Sequence, residues 1–485
     1  MKLSQLLSGV EVLETHAPDM ELTGVAYDSR RVKPGEAFVA ISGFTTDGNR
    51  YIPMAMEQGA RVVVTDRKPQ SDVPYVLVTS SRLALAVMSA NWYDHPAGKM
   101  TMIGVTGTNG KTSVTLLLKS VLEQVTGCKV GLVGTTQNMI GDRVIPTERT
   151  TPESLELQGL FAAMAEAGCR YVVMEVSSHA LALERVGGVR FHAAAFTNLT
   201  EDHLDFHKTM ENYAEAKALL FDRCDVGVFN LDDDYCGFMM ERSGCKRLTC
   251  SEKEQSADLF AHENQLASDH VSFTLAFRGE NFPVKVNIPG LFTAYNAMTV
   301  LGLAAALELP MGASIAALGK AQGVKGRMEV VPTPETDFTV LIDYAHTPDS
   351  LENVLRSVRG YCKGHLVAVF GCGGDRDPIK RPIMGAIGVR EADFVVFTSD
   401  NPRTEDPNAI LKDILAGVGD TQTPYVVIEN RPEAIRYALD HGQKDDIIVL
   451  AGKGHETYQE ICGVKRHLDE REVVAQWLCD RKEKR

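Results

Sequence analysis

A glycine-rich turn stands between residues 102–106, which predict a buried strand, and residues 111–122, which predict a helix. Backbone N–H groups at such a turn and at a helix N-terminus face an anion, and glycine lets the backbone approach it closely. The Lys111 ammonium would reach the β- and γ-phosphates of a nucleotide, and the Thr112 hydroxyl would bind Mg²⁺. Val105 stands where the strict phosphate-loop pattern has glycine, so the loop is a variant of that pattern. The predicted nucleotide-binding residues of the turn are Gly107, Thr108, Asn109, Gly110, Lys111, Thr112 and Ser113.

Two polar side chains follow the next apolar runs of the chain. Glu175 ends one predicted strand, and His203 lies just beyond another. Parallel sheets bind ligands at the carboxyl ends of their strands, so we predict that both side chains serve Mg²⁺ together with Thr112. A zinc site is the less favoured alternative, because no further His or Cys follows at a suitable spacing. That alternative would use His203, Asp205 and His207.

Lys217 lies on the apolar face of a predicted helix. Tyr213, Leu220 and Phe221 are its neighbours at i−4, i+3 and i+4. A lysine held among apolar side chains loses hydration, which lowers its pKa. The neutral amine can then react with CO₂ to give a carbamate, whose oxygens suit Mg²⁺. From the pattern alone, the plainer alternative of a lysine whose ammonium reaches water is favoured.

The order of apolar runs predicts the fold class. Short strand-like runs alternate with helical patterns along all 485 residues, which is typical of α/β architecture with mostly parallel sheets. This length indicates about three domains. Segments rich in proline and glycine at 94–98 and 323–334 suggest the boundaries. We therefore predict domains at 1–98, 99–327 and 328–485.

Composition limits the classes of function. The chain has 50 Lys and Arg against 64 Asp and Glu, a net charge of −14, which argues against nucleic acid or a membrane surface as a partner. The start has no signal-peptide apolar region, and no stretch reaches the roughly twenty apolar residues of a membrane span. The ten cysteines include no Cys-x-x-Cys pair, which favours reduced thiols. We expect a cytoplasmic protein, monomeric, with small-molecule ligands.

Motifs in all three regions resemble those of the Mur ligases, the ATP-dependent amide-forming enzymes of peptidoglycan precursor synthesis. The resemblance runs the whole length of the chain and implies one domain for the UDP end of the substrate, a central ATPase domain and a C-terminal Rossmann-like domain for the incoming amino acid. The segments that carry it are 106–112, 174–179, 198–207, 213–217, 326–329 and 343–349.

The resemblance also assigns roles to single residues. It implies that Lys217 is carbamylated, which reverses the plainer interpretation above. The implied catalytic residues are Lys111, Glu175, His203 and Lys217, and the implied Mg²⁺ ligands are Thr112, Glu175, His203 and carbamylated Lys217. Further implied ATP contacts are Asn296, Arg327 and Asp343. The implied contacts to a UDP-muramoyl dipeptide are Ser29, Thr150, Thr151, Ser177 and Arg185.

The C-terminal region bears on the amino acid that is added. Its Asp-Asn-Pro-Arg run at 400–403 resembles the pattern of family members that add meso-2,6-diaminopimelate to UDP-N-acetylmuramoyl-L-alanyl-D-glutamate. Diaminopimelate differs from lysine by a distal carboxylate, and an arginine fork grips a carboxylate with two charge-assisted hydrogen bonds. The implied diaminopimelate contacts are Arg376, Asp400, Asn401, Pro402, Arg403, Gly452 and Glu456. The main alternative is a lysine-adding member; a folylpolyglutamate synthase and a nucleotide-dependent scaffold are weaker ones.

Overall fold

The structure is a computed structural model that describes residues 1–43, 46–147, 149–267, 270–321, 323 and 325–483. The chain divides into two compact units. The first comprises residues 1–249 and 302–309, and the second comprises 250–301 and 310–485. The predicted domain boundaries at residues 98 and 327 stay a prediction.

The first unit begins with a five-stranded sheet. Its order is β1-β5-β4-β3-β2, and only β1 is antiparallel to its neighbour. The strands β3 and β4 are buried along their whole length, as expected where both faces of a parallel sheet are covered. The strands are β1 (Val12–Thr15), β2 (Val25–Ala26), β3 (Ala37–Ala40), β4 (Val62–Thr65) and β5 (Tyr75–Val78); the helices are α1 (Leu3–Leu6), α2 (Ile52–Glu57) and α3 (Ser81–Trp92).

The same unit continues into a mostly parallel sheet that holds the glycine-rich turn. Its strands are β6 (Thr101–Thr106), β7 (Val130–Val133), β8 (Asn138–Ile140), β9 (Arg143–Ile145), β10 (Tyr171–Glu175), β11 (Phe191–Phe196) and β12 (Cys224–Asn230). Its helices are α4 (Lys111–Thr126), α5 (Ser154–Glu166), α6 (Ser178–Ala182), α7 (Leu204–His207), α8 (Met210–Ala218) and α9 (Cys236–Glu241). The order is β12-β11-β6-β10-β7-β8-β9, in which the first five run parallel. The carboxyl ends of β6, β10 and β11 therefore meet at one edge.

Antiparallel strands precede the C-terminal sheet of the second unit. The strands β14 (Leu259–Leu266), β15 (Val271–Phe277) and β16 (Glu280–Val286) form a meander. The helix α11 (Met311–Lys320) follows it. The strand β13 (Lys246–Ser251) and the helix α10 (Leu291–Ala306) each contain residues of both units.

The C-terminal sheet has the order β17-β18-β22-β19-β20-β21, and all neighbours except β17 and β18 are parallel. Its strands are β17 (Glu329–Val331), β18 (Thr339–Asp343), β19 (Leu366–Phe370), β20 (Phe394–Phe397), β21 (Tyr425–Val427) and β22 (Ile447–Ala451). A separate hairpin consists of β23 (Tyr458–Ile461) and β24 (Val464–His467). The helices are α12 (Pro348–Arg359), α13 (Lys380–Glu391), α14 (Pro407–Leu415), α15 (Arg431–His441) and α16 (Glu470–Glu483).

The predicted fold class is confirmed, because the sheets are mostly parallel and helices connect their strands. Apolar side chains from both faces of the C-terminal sheet form two buried clusters. Because both faces are buried, the sequences of its strands are nearly continuous apolar runs. Within the described chain, none of the helices has the length and apolarity that crossing a bilayer requires.

Candidate active site

The glycine-rich turn is fastened to the end of the neighbouring strand β11. The backbone N–H groups of Thr108 and Asn109 donate to the carbonyl and side-chain oxygens of Asn198, each at 2.8 Å. The Thr197 hydroxyl donates to the Asn109 carbonyl at 2.6 Å. The helix α4 starts at Lys111 without a side-chain cap, so its first N–H groups suit an anion.

Gly107 is required at the turn by both its backbone conformation and its surroundings. Its φ is +145°, and a Cβ there would lie 1.9 Å from the Thr197 hydroxyl oxygen. We expect Gly107→Ala to weaken nucleotide binding by at least about tenfold, because the turn must move to relieve the contact. Calorimetric titration with an ATP analogue measures this change.

Gly127→Ala is the matched control for that variant. Gly127 also has a positive φ, +67°, at the other end of α4, but no heavy atom lies within 4 Å of its added Cβ. Strain alone should lower the melting temperature and leave nucleotide affinity unchanged. Wild-type affinity in Gly107→Ala would contradict the role of the close approach.

Lys217 is buried beneath the turn. Its side chain is 1% exposed, and its ammonium donates to the Gly107 carbonyl at 2.8 Å and lies 4.4 Å from the Tyr213 ring centre. Burial, with the positive charge of Lys111 as the next cause, lowers the pKa of Lys217 well below its usual value. The pattern-based alternative of an ammonium in water is wrong, because this side chain does not reach the surface. Lys111, the lysine at the turn itself, donates to the carbonyls of Gly107 and Thr108 at 2.9 and 2.8 Å.

Glu175 is oriented by a residue that the sequence did not indicate. Thr135 donates its backbone N–H to one carboxylate oxygen and its hydroxyl to the other, both at 2.9 Å. The carboxylate is 1% exposed and adjoins Gly134, where a Cβ would lie 2.6 Å from the carboxylate. Thr135 was missed because a lone threonine in a loop carries no spacing signal. Each oxygen of Glu175 retains a lone pair with which it can bind a cation.

His203 belongs to a group of three histidines near α8. The ring of His179 lies 4.9 Å from that of His203 and 5.4 Å from that of His207. Partial burial lowers the pKa of His203, so its imidazole is neutral at pH 7 and can act as a ligand. The His207 ring bonds instead to the Ser178 hydroxyl at 2.9 Å, and burial lowers its pKa to about 4. Among the residues that the structure describes, no three or more His, Cys, Asp or Glu side chains are grouped to hold a metal ion.

Four of the predicted dipeptide contacts lie together beside Glu175. The Thr151 hydroxyl donates to the Glu175 carbonyl at 2.9 Å and accepts the Ser177 N–H at 3.2 Å. The Arg185 guanidinium donates to the Thr151 carbonyl at 3.1 Å, and the Thr150 hydroxyl lies 3.0 Å from that of Thr135. These bonds hold the loop after β9 against the end of β10.

Ser29, the fifth predicted dipeptide contact, lies in the N-terminal sheet region. It is buried, and its hydroxyl donates to the Met54 sulfur at 3.5 Å. No described hydrogen bond joins it to the four residues beside Glu175.

The predicted nucleotide contacts of the second unit form a smaller group. The Asp343 carboxylate accepts the backbone N–H groups of Met328 and Ala345, both at 2.8 Å, and burial raises its pKa. The Arg327 guanidinium lies 5.0 Å from the Tyr344 ring centre, and its buried Nε has no hydrogen-bond partner among the described residues. Asn296 is half-buried on α10, and no described contact joins it to this group.

The predicted diaminopimelate contacts come from three loops at the carboxyl ends of β19, β20 and β22. The Asn401 amide donates to the Glu456 carboxylate at 2.9 Å. The Arg403 guanidinium donates to the Gly374 carbonyl at 2.7 Å, in the loop that also carries exposed Arg376. The loops that hold the predicted residues are therefore in direct contact with one another.

Asp400 and Gly452 face each other across two of these loops. Gly452 has a φ of +113°, and a Cβ there would lie 2.6 Å from the Asp400 Oδ2 atom. That oxygen is buried and has no hydrogen-bond partner among the described residues. A buried carboxylate oxygen without a donor is costly, so it suits a ligand that brings N–H groups.

The hairpin β23–β24 also contacts the loop of residues 400–403, which the sequence did not predict. The backbone N–H of Glu460 donates to the Asn401 side-chain oxygen at 2.9 Å, and its carbonyl accepts the Arg403 N–H at 3.0 Å. The Glu460 carboxylate lies 3.6 Å from Arg403 Nε. Gln459 donates to the Asp400 carbonyl at 2.6 Å. The hairpin thus fixes the backbone from which Asp400, Asn401 and Arg403 project.

Comparison with known proteins gives relatives that match almost the whole chain. A UDP-N-acetylmuramoyl-L-alanyl-D-glutamate--2,6-diaminopimelate ligase of Caldanaerobacter subterraneus subsp. tengcongensis is 50% identical over 99% of both chains. A Clostridium acetobutylicum protein of the same name, numbered 1, is 47% identical over 99% of both. A solved structure with that enzyme name is 33% identical over 95% of both chains, with a TM-score of 0.71.

Three domain models of one family match successive parts of the chain. The model described as Mur ligase family, catalytic domain, matches residues 21–93, and the Mur ligase middle domain matches 105–304. The model described as Mur ligase, glutamate ligase domain, matches 326–454. These matches cover well over half of the sequence, and the relatives agree with them. The chain belongs to the Mur ligase family.

Proposed function

We propose that the protein is the ATP-dependent ligase that adds meso-2,6-diaminopimelate to UDP-N-acetylmuramoyl-L-alanyl-D-glutamate in peptidoglycan precursor synthesis. The names of the most similar relatives support the reaction, and the C-terminal loops support the amino acid. Because ATP and a nucleotide sugar are metabolites of the cytoplasm, we place the reaction there. We also propose that the enzyme acts as a monomer on small-molecule substrates.

The pairing of Asp400 with Arg403 carries the choice of amino acid. Asp400 offers a buried carboxylate oxygen that lacks a donor, which suits an ammonium group. Arg403, three residues away, offers a guanidinium that can grip a carboxylate with two charge-assisted bonds. Both groups are needed for the distal amino-carboxylate end of diaminopimelate, whereas lysine has no distal carboxylate. Asn401, Glu456 and Gly452 complete the proposed pocket, with Pro402 fixing the turn and Arg376 at its exposed side.

The chemistry that we propose has two steps. The D-glutamate carboxylate attacks the γ-phosphorus of ATP, which gives an acyl phosphate and releases ADP. The amine of diaminopimelate then attacks the acyl carbon, loses a proton, and displaces phosphate to leave an amide. Lys111 and the backbone N–H groups of residues 107–113 would neutralise the charge on the transferring phosphoryl group.

The residues around the turn fit magnesium. Mg²⁺ prefers oxygen ligands, and each carboxylate oxygen of Glu175 keeps a lone pair beside its bond from Thr135. We propose that one Mg²⁺ would be held by Thr112 and Glu175, and a second by Glu175, His203 and carbamylated Lys217. When bound, they would neutralise phosphate charge during transfer.

The carbamate proposal rests on the burial of Lys217. A neutral amine attacks the carbon of CO₂, so that an N–C bond forms while the electron pair of one C=O π bond moves to its oxygen, and the nitrogen loses a proton to water. Burial favours the neutral amine, and no described carboxylate pairs with this lysine to keep it protonated. The product is an anion whose oxygens suit Mg²⁺.

The remaining predicted residues are proposed as substrate contacts. Thr150, Thr151, Ser177 and Arg185 would bind the dipeptide end of the nucleotide sugar, and Ser29 its uridine end. Asn296 would contact adenine. The unpartnered Nε of Arg327 suits an anionic or carbonyl oxygen of the nucleotide, and Asp343 holds the backbone beside it.

Measuring ADP release with the UDP-muramoyl dipeptide and a panel of amino acids tests the proposal. We expect release with meso-diaminopimelate and at most about 10⁻³ of that rate with L-lysine, since lysine has no distal carboxylate to accept hydrogen bonds from the Arg403 guanidinium. Faster release with lysine would make the chain a lysine-adding ligase. Release that requires a folate in place of the nucleotide sugar would place it with the folylpolyglutamate synthases.

A further inference from the structure

Lys453 is a fully buried cation in the loop that follows β22. Its side chain is 0% exposed, in a protein where nearly all other lysines reach solvent. The loop also carries Gly452 and Glu456, two of the proposed diaminopimelate contacts. Burying a lysine costs several kcal/mol unless it is paired and hydrogen-bonded, so the contacts of Lys453 show which residues compensate its buried charge.

The contacts of Lys453 go to two residues of the proposed pocket. Its ammonium donates to the Asn401 Oδ1 atom and to the Glu456 Oε2 atom, both at 3.0 Å. Asn401 Oδ1 also accepts the Glu460 N–H at 2.9 Å. With two donors on that oxygen, the amide has one favourable orientation, and its nitrogen must donate elsewhere. It does so to Glu456 Oε2 at 2.9 Å.

The same hydrogen bonds occupy one carboxylate oxygen of Glu456. Its Oε2 atom accepts from both Lys453 and Asn401, whereas Oε1 accepts none of the described hydrogen bonds. One carboxylate oxygen is thus held by the protein, and the other is left for a ligand. A carboxylate oxygen placed in this way can accept hydrogen bonds from an ammonium group.

We propose that Lys453 is a positioning residue that orients Asn401 and Glu456, so that the free Oε1 atom of Glu456 receives an ammonium group of the incoming amino acid. This inference rests on the proposed function. Lys453 does not itself touch the ligand; it acts through Asn401 and Glu456. Its removal should therefore affect the amino acid and spare the nucleotide.

Steady-state kinetics of Lys453→Met test the inference. We expect the KM for diaminopimelate to rise at least tenfold, with the KM for ATP and kcat within about threefold of wild type. A residue that only stabilises the fold would not raise the KM for diaminopimelate while leaving the KM for ATP unchanged.

Lys119→Met is the matched control. Lys119 is also a buried lysine paired with a glutamate, Glu123, at 2.7 Å, but it lies on α4 in the other unit. Its loss should lower the melting temperature and leave the KM for diaminopimelate unchanged. An equal rise of that KM in both variants would overturn the inference.

A second variant separates positioning from folding. Lys453→Met combined with Glu456→Gln removes both charges, so no unpaired charge is buried. We expect it to fold and to bind diaminopimelate weakly, since the carboxylate that would receive the ammonium group is gone. If both variants unfold at the assay temperature, Lys453 serves stability and the inference is overturned.

The wild-type protein in the same assay distinguishes a failure of the positioning role from a failure of the proposed function. Turnover with diaminopimelate in wild type and an unchanged KM in folded Lys453→Met overturn the positioning role alone. No diaminopimelate-dependent turnover in wild type overturns the proposed function and this inference with it.

Discussion

Replacing Lys217 with alanine should reduce ligation by about a thousandfold or more, because the variant loses the proposed carbamate and its metal-binding oxygens. Lys217 is buried, and its only described hydrogen bond goes to the Gly107 carbonyl, so the truncation leaves no carboxylate unpaired. The fold should therefore survive, with a melting temperature near that of wild type. ADP release with all three substrates measures the loss.

Short carboxylic acids provide the sharper half of that test. Formate or acetate should enter the space left in Lys217→Ala and restore part of the activity, since each supplies the carboxylate oxygens of the lost carbamate. Lys119→Ala, at another buried lysine of the same unit, should stay active and show no response to the acids. High activity of Lys217→Ala without added acid would contradict the proposed role.

Replacing Arg403 with alanine should lower kcat/KM for diaminopimelate by about 10²–10⁴-fold. Two charge-assisted hydrogen bonds to the distal carboxylate would be lost, each contributing about 1.5–3 kcal/mol. The KM for ATP should change less than twofold. Arg403→Lys should recover only part of the loss, because an ammonium keeps the charge without the planar fork.

A control variant separates recognition from misfolding at Arg403. Arg390→Ala removes an arginine from the surface of the same unit, where it pairs with Glu352 and Glu391, and should have wild-type kinetics. Equal losses of ATP and diaminopimelate affinity in Arg403→Ala would indicate a damaged fold and contradict the specific role.

The parts of the fold that could be predicted are those with strong local patterns. The strands β3, β19 and β22 are continuous apolar runs, and the strand predicted at 102–106 is present as β6, Thr101–Thr106. The turn at 107–113 combines glycines with a strand before it and a helix after it, so its place at a sheet edge followed from sequence. The strand order did not follow, because contacts between distant segments leave no local signal.

Other parts could not be predicted, for physical reasons. The hairpin β23–β24 has one strand that is exposed at every residue, so it lacks the alternation of apolar and polar residues that predicts a strand. Thr135 and Lys453 act through hydrogen bonds to Glu175 and Asn401, which lie 40 and 52 residues away in sequence. Such contacts depend on tertiary geometry, and nothing in the spacing of the residues indicates them.

The sequence pattern around Lys217 predicts its helix face but not the environment of its ammonium group. Its helical neighbours indicated an apolar face, yet a pattern cannot tell whether the ammonium extends past that face to water. The structure decides this point, because the side chain ends at a backbone carbonyl of the glycine-rich turn.

A competition assay decides which amino acid the protein adds. The protein is incubated with ATP, the UDP-muramoyl dipeptide and equal concentrations of meso-diaminopimelate and L-lysine. The products are then identified by mass spectrometry. We expect a nucleotide-linked tripeptide carrying diaminopimelate, formed with one ADP per amide bond. A product that carries lysine, or ADP formed without any new amide, would contradict the proposed function.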